Sequence, residues 1–167
     1  VCKILATLLV GKRVFQEFFV FTGCGRNGKN LLCDFAVCKS LEGLIGNMDA
    51  NYFCQKSKSS SNATPELHNK QYCRGVIVSE PDDGSTFNSK KIKEITGNKT
   101  IETRTLNEKP VEWIILFTSI FCCNEIPKFT DMSGGFKSRI RLIKFPFRFV
   151  SHPILENDRI AVEWNFD

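Results

Sequence analysis

The sequence has 167 residues and a formal net charge of +5, enough chain for one domain that buries roughly two-thirds of its unfolded surface in a single core; the charge is compatible with a polyanionic partner without requiring one. Its longest apolar run, "IILFTSIFCC", is about half of what a membrane-spanning helix needs, which excludes a bilayer span, and no charged n-region and apolar core open the chain, so secretion is not expected. The eight cysteines contain no C-x-x-C pair, and only His68 and His152 could assist a metal site. They read as reduced thiols of a cytosolic or nuclear protein.

In chain order, "CKILATLLVGK" has helical apolar spacing with a stop near Gly11, and "VFQEFFVF" is rich in strand formers. The chain starts at Val1 and is expected to be a fragment of something longer. "VFTGCGRNGKNLL", Val20 to Leu32, then breaks the apolar run with three glycines, an arginine and a lysine. The spacing Gly23 to Lys29 is G-x-x-x-x-G-K, the phosphate-cradling loop, with Asn30 where Ser or Thr is usual. "KNLLCDFAVCKSLEGLIG" places Leu31, Leu32, Phe35, Ala36 and Leu41 at helical spacing, with Gly43 or Gly46 as the stop. The serine-rich stretch from Cys54 to Cys73 reads as a surface loop with a short helix opening near Thr64, Pro65 and Glu66.

"GVIVSEPDDG" reads as a buried strand ending in acids, "NSKKIKEITG" as a helix stopped by Gly97, and "IILFTSIFCC" as one buried strand ending at Asn124 and Glu125. After a glycine turn at Gly134 and Gly135, "RIRLIKFPF" is the last strand. Alternating strands and helices predict an α/β fold with a mainly parallel central sheet flanked by helices.

Ligands of open α/β sheets sit beyond the carboxyl ends of the strands. Here those ends carry what a triphosphate needs. Gly23, Cys24, Gly25, Arg26, Asn27, Gly28, Lys29 and Asn30 form the loop, whose glycines allow backbone N–H groups to approach phosphate and whose helix adds a positive end. Lys29 would reach the β- and γ-oxygens. Glu80 is placed to hold Mg2+ or its water and polarise an attacking water, with Asp82 and Asp83 as substitutes whose plainer reading is a solvated acidic turn. Asn124 could orient that water or sense the γ-phosphate; its plain alternative is a cap. Arg139 and Arg141 alternate with Ile140 and Leu142, so both guanidiniums should emerge on one face, either as a solvated basic face or as an arginine finger for a neighbouring subunit's ATP.

With these landmarks in order, the chain resembles the superfamily 3 helicase domain of the poxvirus-type primase-helicase group of large DNA viruses and phages, an AAA+-like P-loop NTPase. "FTGCGRNGKN" resembles the Walker A loop, "ATPELHNKQYCRGVIVSEPDDG" the lead-in and Walker B strand, "IKEITGN" through "TRTLNEKPVEW" the segment ending in the pre-sensor hairpin, and "FCCNEIPKFTDMSGGFKSRIRLIKFPF" sensor 1 and the finger region. The resemblance spans nearly all of residues 1–167. It implies ATP-driven 3′-to-5′ unwinding of single-stranded or forked DNA by a homo-oligomeric ring, a hexamer, with Mg2+ATP between subunits. Lys29 and Gly28 then bind phosphate, Glu80 and Asn30 serve the metal, Asn124 is sensor 1, and Arg139 is preferred over Arg141 as the finger. The hairpin nominates Arg104, Asn107 and Lys109 for DNA phosphates, and the setting is viral replication in the host cytoplasm or nucleus.

The resemblance departs at Asn30, and at Asn98 and Lys99, which stand where a second glycine and an acid are usual. An impaired nucleotide or nucleic-acid-binding scaffold, or a relic of a viral gene, is the alternative from a different class. A P-loop small-molecule kinase is disfavoured because the chain shows a hairpin and a finger rather than an arginine-rich lid.

Overall fold

The structure, a computed structural model, describes residues 2–39, 41–54, 64–82, 84–149, 154–156 and 159–161. Helix α1 (Cys2–Val10) turns its apolar stripe, Ile4 and Leu8, into the core and ends where Gly11 takes a φ of 70°. Strand β1 (Phe18–Thr22) follows, buried at all five positions. It is shorter than the apolar pattern from Val14 because pairing with its neighbours begins only at Phe18, leaving Val14 and Phe15 exposed.

After the glycine loop comes helix α2 (Lys29–Leu31), which widens into a π-helical stretch (Leu32–Lys39). The predicted helix therefore ends before Leu41, which is buried in a turn where Gly43 has a φ of 78°. Strand β2 (Ile45–Met48) comes next, where the sequence suggested only the end of a helix. Its Gly46 and Asn47 show no strand pattern; parallel pairing with a neighbour, Ile45 opposite Gly75 to Met48 opposite Val78, makes it a strand.

Helices α3 (Ala50–Cys54) and α4 (Pro65–His68) lead to β3 (Gly75–Val78), with Pro65 starting α4 after Thr64 as expected. Residues 55–63 of the serine-rich stretch lie outside the described residues, as do Asp83 and His152. Short β4 (Thr86–Phe87) precedes α5 (Ser89–Gly97), whose N-cap Asn88 accepts hydrogen bonds from the Lys90 and Lys91 N–H groups at 3.0 and 3.4 Å.

"IILFTSIFCC" is not one strand. Ile114 closes β6 (Val111–Ile114), antiparallel to β5 (Thr100–Thr103), whereas Thr118 opens β7 (Thr118–Cys123). Ile115 and Phe117 between them are as buried as β7 and as apolar as Ile114, so hydropathy alone hides the change of partner. The chain continues through β8 (Lys128–Phe129), α6 (Gly134–Lys137), β9 (Ile140–Lys144) and the antiparallel pair β10 (Ile154–Glu156) and β11 (Arg159–Ala161).

The main sheet runs β2-β3-β7-β1-β9, parallel throughout. Successive residues of a strand face opposite sides, and the core divides accordingly. Phe18, Val20, Phe121 and Cys123 join one apolar cluster with Phe53, Ile92 and Phe136, while Phe19, Phe21 and Ile120 join the other with Ile4, Leu8 and Cys33. Because all five strands are parallel, their carboxyl ends open on one side, and three of them carry the candidate site. No described helix is long and apolar enough to cross a membrane.

Asp131 fastens the α5 side to the chain before α6. Its carboxylate accepts from Lys93 Nζ at 2.6 Å and from the Ser133 N–H and hydroxyl at 2.8 and 2.9 Å. These donors, the lysine first, pull its carboxyl down to about 2. A depressed carboxyl stabilises the fold above its unfolded value of about 3.9, and that contribution is lost as pH falls toward the folded value. Asp131→Asn is therefore expected to lower the melting temperature at pH 7, with the difference from wild type closing between about pH 4 and pH 2 in thermal melts.

Candidate functional site

The loop after β1 needs its glycines for specific reasons. Gly23 has a φ of 147°, and a Cβ there would stand 2.3 Å from the Phe145 carbonyl oxygen, so no side chain fits. Gly28, at φ 78°, lies under the Phe149 ring, and Arg26 also takes a left-handed φ of 63°. Asn27 braces the turn from within: its Oδ1 accepts the Lys29 N–H at 3.2 Å, and its Nδ2 donates to Phe145 O at 3.4 Å. The Phe149 N–H donates to Arg26 O at 2.8 Å. The segment after β9 thus buttresses the loop from outside, a role that no spacing in the sequence announces. Cys24, Gly25, Arg26 and Asn30 remain exposed around the mouth.

Lys29 is not the exposed lysine that its place in a polar loop suggests. It is 6% exposed, and its Nζ donates to Cys123 O at 2.6 Å, Asn124 Oδ1 at 3.2 Å and Gly23 O at 3.4 Å. An ammonium has three donors, and here each has an oxygen. Asn124 passes the contact on: its backbone N–H and its Nδ2 each donate at 2.8 Å to the two oxygens of Glu80. Lys29 opens α2 after the loop that follows β1, while Glu80 and Asn124 follow β3 and β7, yet the three form one continuous chain of hydrogen bonds. The Gly23 N–H donates to Asn124 O at 3.0 Å, which fixes the loop's first residue to the same strand end. Beneath the site, burial and the nearby Glu80 push the Cys123 thiol up to about 12.

Other candidates lie apart. Asp82 is exposed and accepts from Asn51 Nδ2 at 3.5 Å, off the chain that joins Glu80 to Lys29. Asn107, with a φ of 62°, sits at the tip of the β5–β6 hairpin with exposed Lys109, whereas Arg104 is half-buried and its carbonyl accepts the Thr64 N–H. The hairpin's base is pinned by Trp113 Nε1, which donates to Thr103 Oγ1 at 2.7 Å. Among the described residues, no three His, Cys, Asp or Glu side chains gather as metal ligands.

Arg139 and Arg141 do not share one solvent face. Arg139 lies just before β9, at the amino end of the sheet, and its Nη1 donates to Lys93 O and Thr96 Oγ1, both at 3.0 Å. Arg13 donates to Ile95 O and Asn98 O at the same helix end. Two guanidiniums thus satisfy the terminal carbonyls of α5, where a cation is favoured. Burial, then repulsion by Arg139, lowers the pKa of Arg13. Arg141 is exposed and pairs with Glu17 at 2.5 Å. Strand alternation misled because Arg139 is outside the strand.

Solved structures of the C-terminal region of NrS-1 superimpose on this fold, one with a TM-score of 0.61 over 84% of this chain and 33% of that one, at 22% identity. Another gives 0.58 over 85% and 32% at 20% identity. The fold is that of the P-loop NTPases. In sequence, the chain is 32% identical over 152 residues, 91% of its length, to "Putative helicase L207/L206" of Acanthamoeba polyphaga mimivirus. It is 27% identical over 158 residues, 87% of its length, to "Putative helicase 022R" of Frog virus 3. It spans only 16% and 15% of those two proteins. No family model matches.

Proposed function

We propose that this chain is the ATP-hydrolysing module of a viral DNA helicase of the superfamily 3, poxvirus-type primase-helicase kind, acting as a homo-oligomeric ring, a hexamer, on single-stranded or forked DNA in the host cytoplasm or nucleus. The observation that carries the reading is the hydrogen-bonded chain Lys29, Asn124, Glu80 at the strand ends beneath a glycine loop. The similarity to proteins named as viral helicases supports it.

On this reading the loop N–H groups from Gly25 to Lys29 receive the β-phosphate, and Lys29 exchanges its carbonyl partners for β- and γ-oxygens. A preorganised donor of this kind stabilises charge that develops as the terminal phosphate leaves. Asn124, coupled to Lys29, reports whether that exchange has happened. Because it also holds both oxygens of Glu80, it fixes the carboxylate's direction. Each oxygen keeps a second lone pair for the attacking water.

The donors present fit a divalent cation, since Glu80 offers an exposed carboxylate and Asn30 an exposed amide oxygen in the first turn after the loop. Glu80 and Asn30 would hold Mg2+, which when bound neutralises phosphate charge. Asn30→Ser is expected to keep or raise Mg2+-dependent turnover, because a hydroxyl is the group this loop position usually offers. A steady-state ATPase titration with Mg2+ checks this, and a sharp fall in turnover would show that the amide itself is required.

Asn30 also favours the second reading, a nucleotide-binding scaffold with impaired catalysis. The deciding experiment is ATP turnover with and without single-stranded DNA. Stimulation by DNA supports the motor, DNA-independent turnover points to a small-molecule kinase or plain NTPase, and binding without turnover supports the scaffold.

A further inference from the structure

The sulfurs of Cys33 and Cys122 are 3.5 Å apart, in hydrogen-bond contact, on the face of the sheet that holds α1. Cys33 lies four residues beyond Lys29 on the same helical segment, and Cys122 is the residue before Cys123 on β7. These two thiols therefore join the same two elements that the Lys29 ammonium joins through Cys123 O, one turn further along the helix. We infer that Cys33 and Cys122 are an oxidative modification site, closing into a reversible disulfide that holds the phosphate loop's helix against β7 and arrests the ATPase.

The geometry favours this pair over the other thiols beside it. The two sulfurs need only close from 3.5 Å to about 2.05 Å. Cys122 is half-buried, open enough for a small oxidant, while Cys33 is 3% exposed and set to act second. The contact with Cys33, and then the Lys29 ammonium, lower the pKa of Cys122 against the effect of burial. Neighbouring Cys123, pushed up to about 12, stays a neutral thiol. The thiolate is the reactive form of cysteine.

With hydrogen peroxide as oxidant, the Cys122 thiolate attacks one peroxide oxygen, giving a sulfenic acid and hydroxide. The Cys33 thiol then attacks the Cys122 sulfur, the S–S bond forms, and the sulfenic oxygen leaves as water once it takes the thiol proton. Two thiols and one peroxide become one disulfide and two waters, the sulfur pair having given up two electrons. Where disulfides do occur in reducing compartments of mesophiles, they are typically transient or redox-sensing. Exchange with a low-molecular-weight thiol reopens the bridge.

The arrest rests on the ATPase reading above; the bond does not. The test treats the full-length protein with hydrogen peroxide, blocks remaining thiols by alkylation, and maps cross-linked peptides by mass spectrometry while ATP turnover and melting temperature are followed. A Cys33–Cys122 peptide is expected, together with a higher melting temperature and a turnover loss of about tenfold or more, all reversed by dithiothreitol. Cys33→Ala and Cys122→Ser should each abolish the cross-link, and Cys33→Ala should lose the dithiothreitol-reversible, melting-temperature-raising component. Loss of turnover without that peptide, or a linked protein that hydrolyses ATP at the reduced rate, overturns the inference. If the reduced protein lacks turnover, the proposed function falls, while the mapped bond and its effect on melting still decide whether the pair closes and clamps the π-helical stretch after α2 to β7.

Discussion

Lys29→Ala should lower ATP turnover by about 10^2-fold or more, the scale on which removing one preorganised donor acts, and it should also cost stability. The second effect follows from burial. Wild-type Lys29 satisfies Cys123 O, Asn124 Oδ1 and Gly23 O, and truncation leaves these oxygens short of a donor. The contact with Cys123 O is buried, whereas those with Asn124 Oδ1 and Gly23 O are partly exposed and open to water, so one buried polar group left unsatisfied costs about 1–3 kcal/mol, partly offset because a buried charge is also removed. For a chain of this size the melting temperature falls by about 2–4 °C per kcal/mol, so a decrease of a few degrees is expected in a thermal melt. The two effects are separable: a modest shift in melting leaves the protein folded at assay temperature, where lost turnover then reports chemistry. A folded variant with wild-type turnover would remove Lys29 from the mechanism, and the proposed function with it.

The sequence exposes some of this site and conceals the rest for physical reasons. The loop is legible because Gly23 and Gly28 occupy backbone conformations that other residues resist, and such needs leave fixed spacings. Glu80 and Asn124 are legible as polar residues within two positions of the ends of buried strands, since parallel strands must place their ends together. Helix α5 announces itself through Asn88 and Gly97. The burial of Lys29 could not be read, because it depends on a carbonyl 94 residues away. Strand β2 exists through its pairing with β3 rather than through its residues. The division between β6 and β7 is silent because Ile114 at the end of β6, the link and β7 read as one apolar run. For Arg139, the pattern gave the right neighbourhood and the wrong direction, since what draws the guanidinium inward is the end of α5.

That inward turn sharpens the test of the ring. If Arg139 completes a neighbour's ATP site, Arg139→Ala should still bind nucleotide at its own loop yet lose on the order of 10^3 to 10^5 in turnover. In this structure its Nη1 spends its donors on Lys93 O and Thr96 Oγ1, so acting in trans requires the side chain to leave α5 or the end of α5 to lie at the subunit boundary. Arg139→Ala also uncaps α5, so a low rate in the single variant does not by itself separate a finger from a staple. Mixing separates them. Subunits carrying Lys29→Ala and subunits carrying Arg139→Ala are each inactive alone, but a mixed ring contains interfaces with an intact loop on one side and an intact arginine on the other. Recovery of turnover on mixing, lost on dilution as the ring dissociates, is the expected result, because a staple damages its own subunit and cannot be supplied by a neighbour. If mixing recovers nothing while Arg141→Ala mixed with Lys29→Ala does, the exposed Arg141 is the finger and Arg139 holds the helix end. If Arg139→Ala alone hydrolyses ATP at the wild-type rate, its two hydrogen bonds to α5 are its whole role.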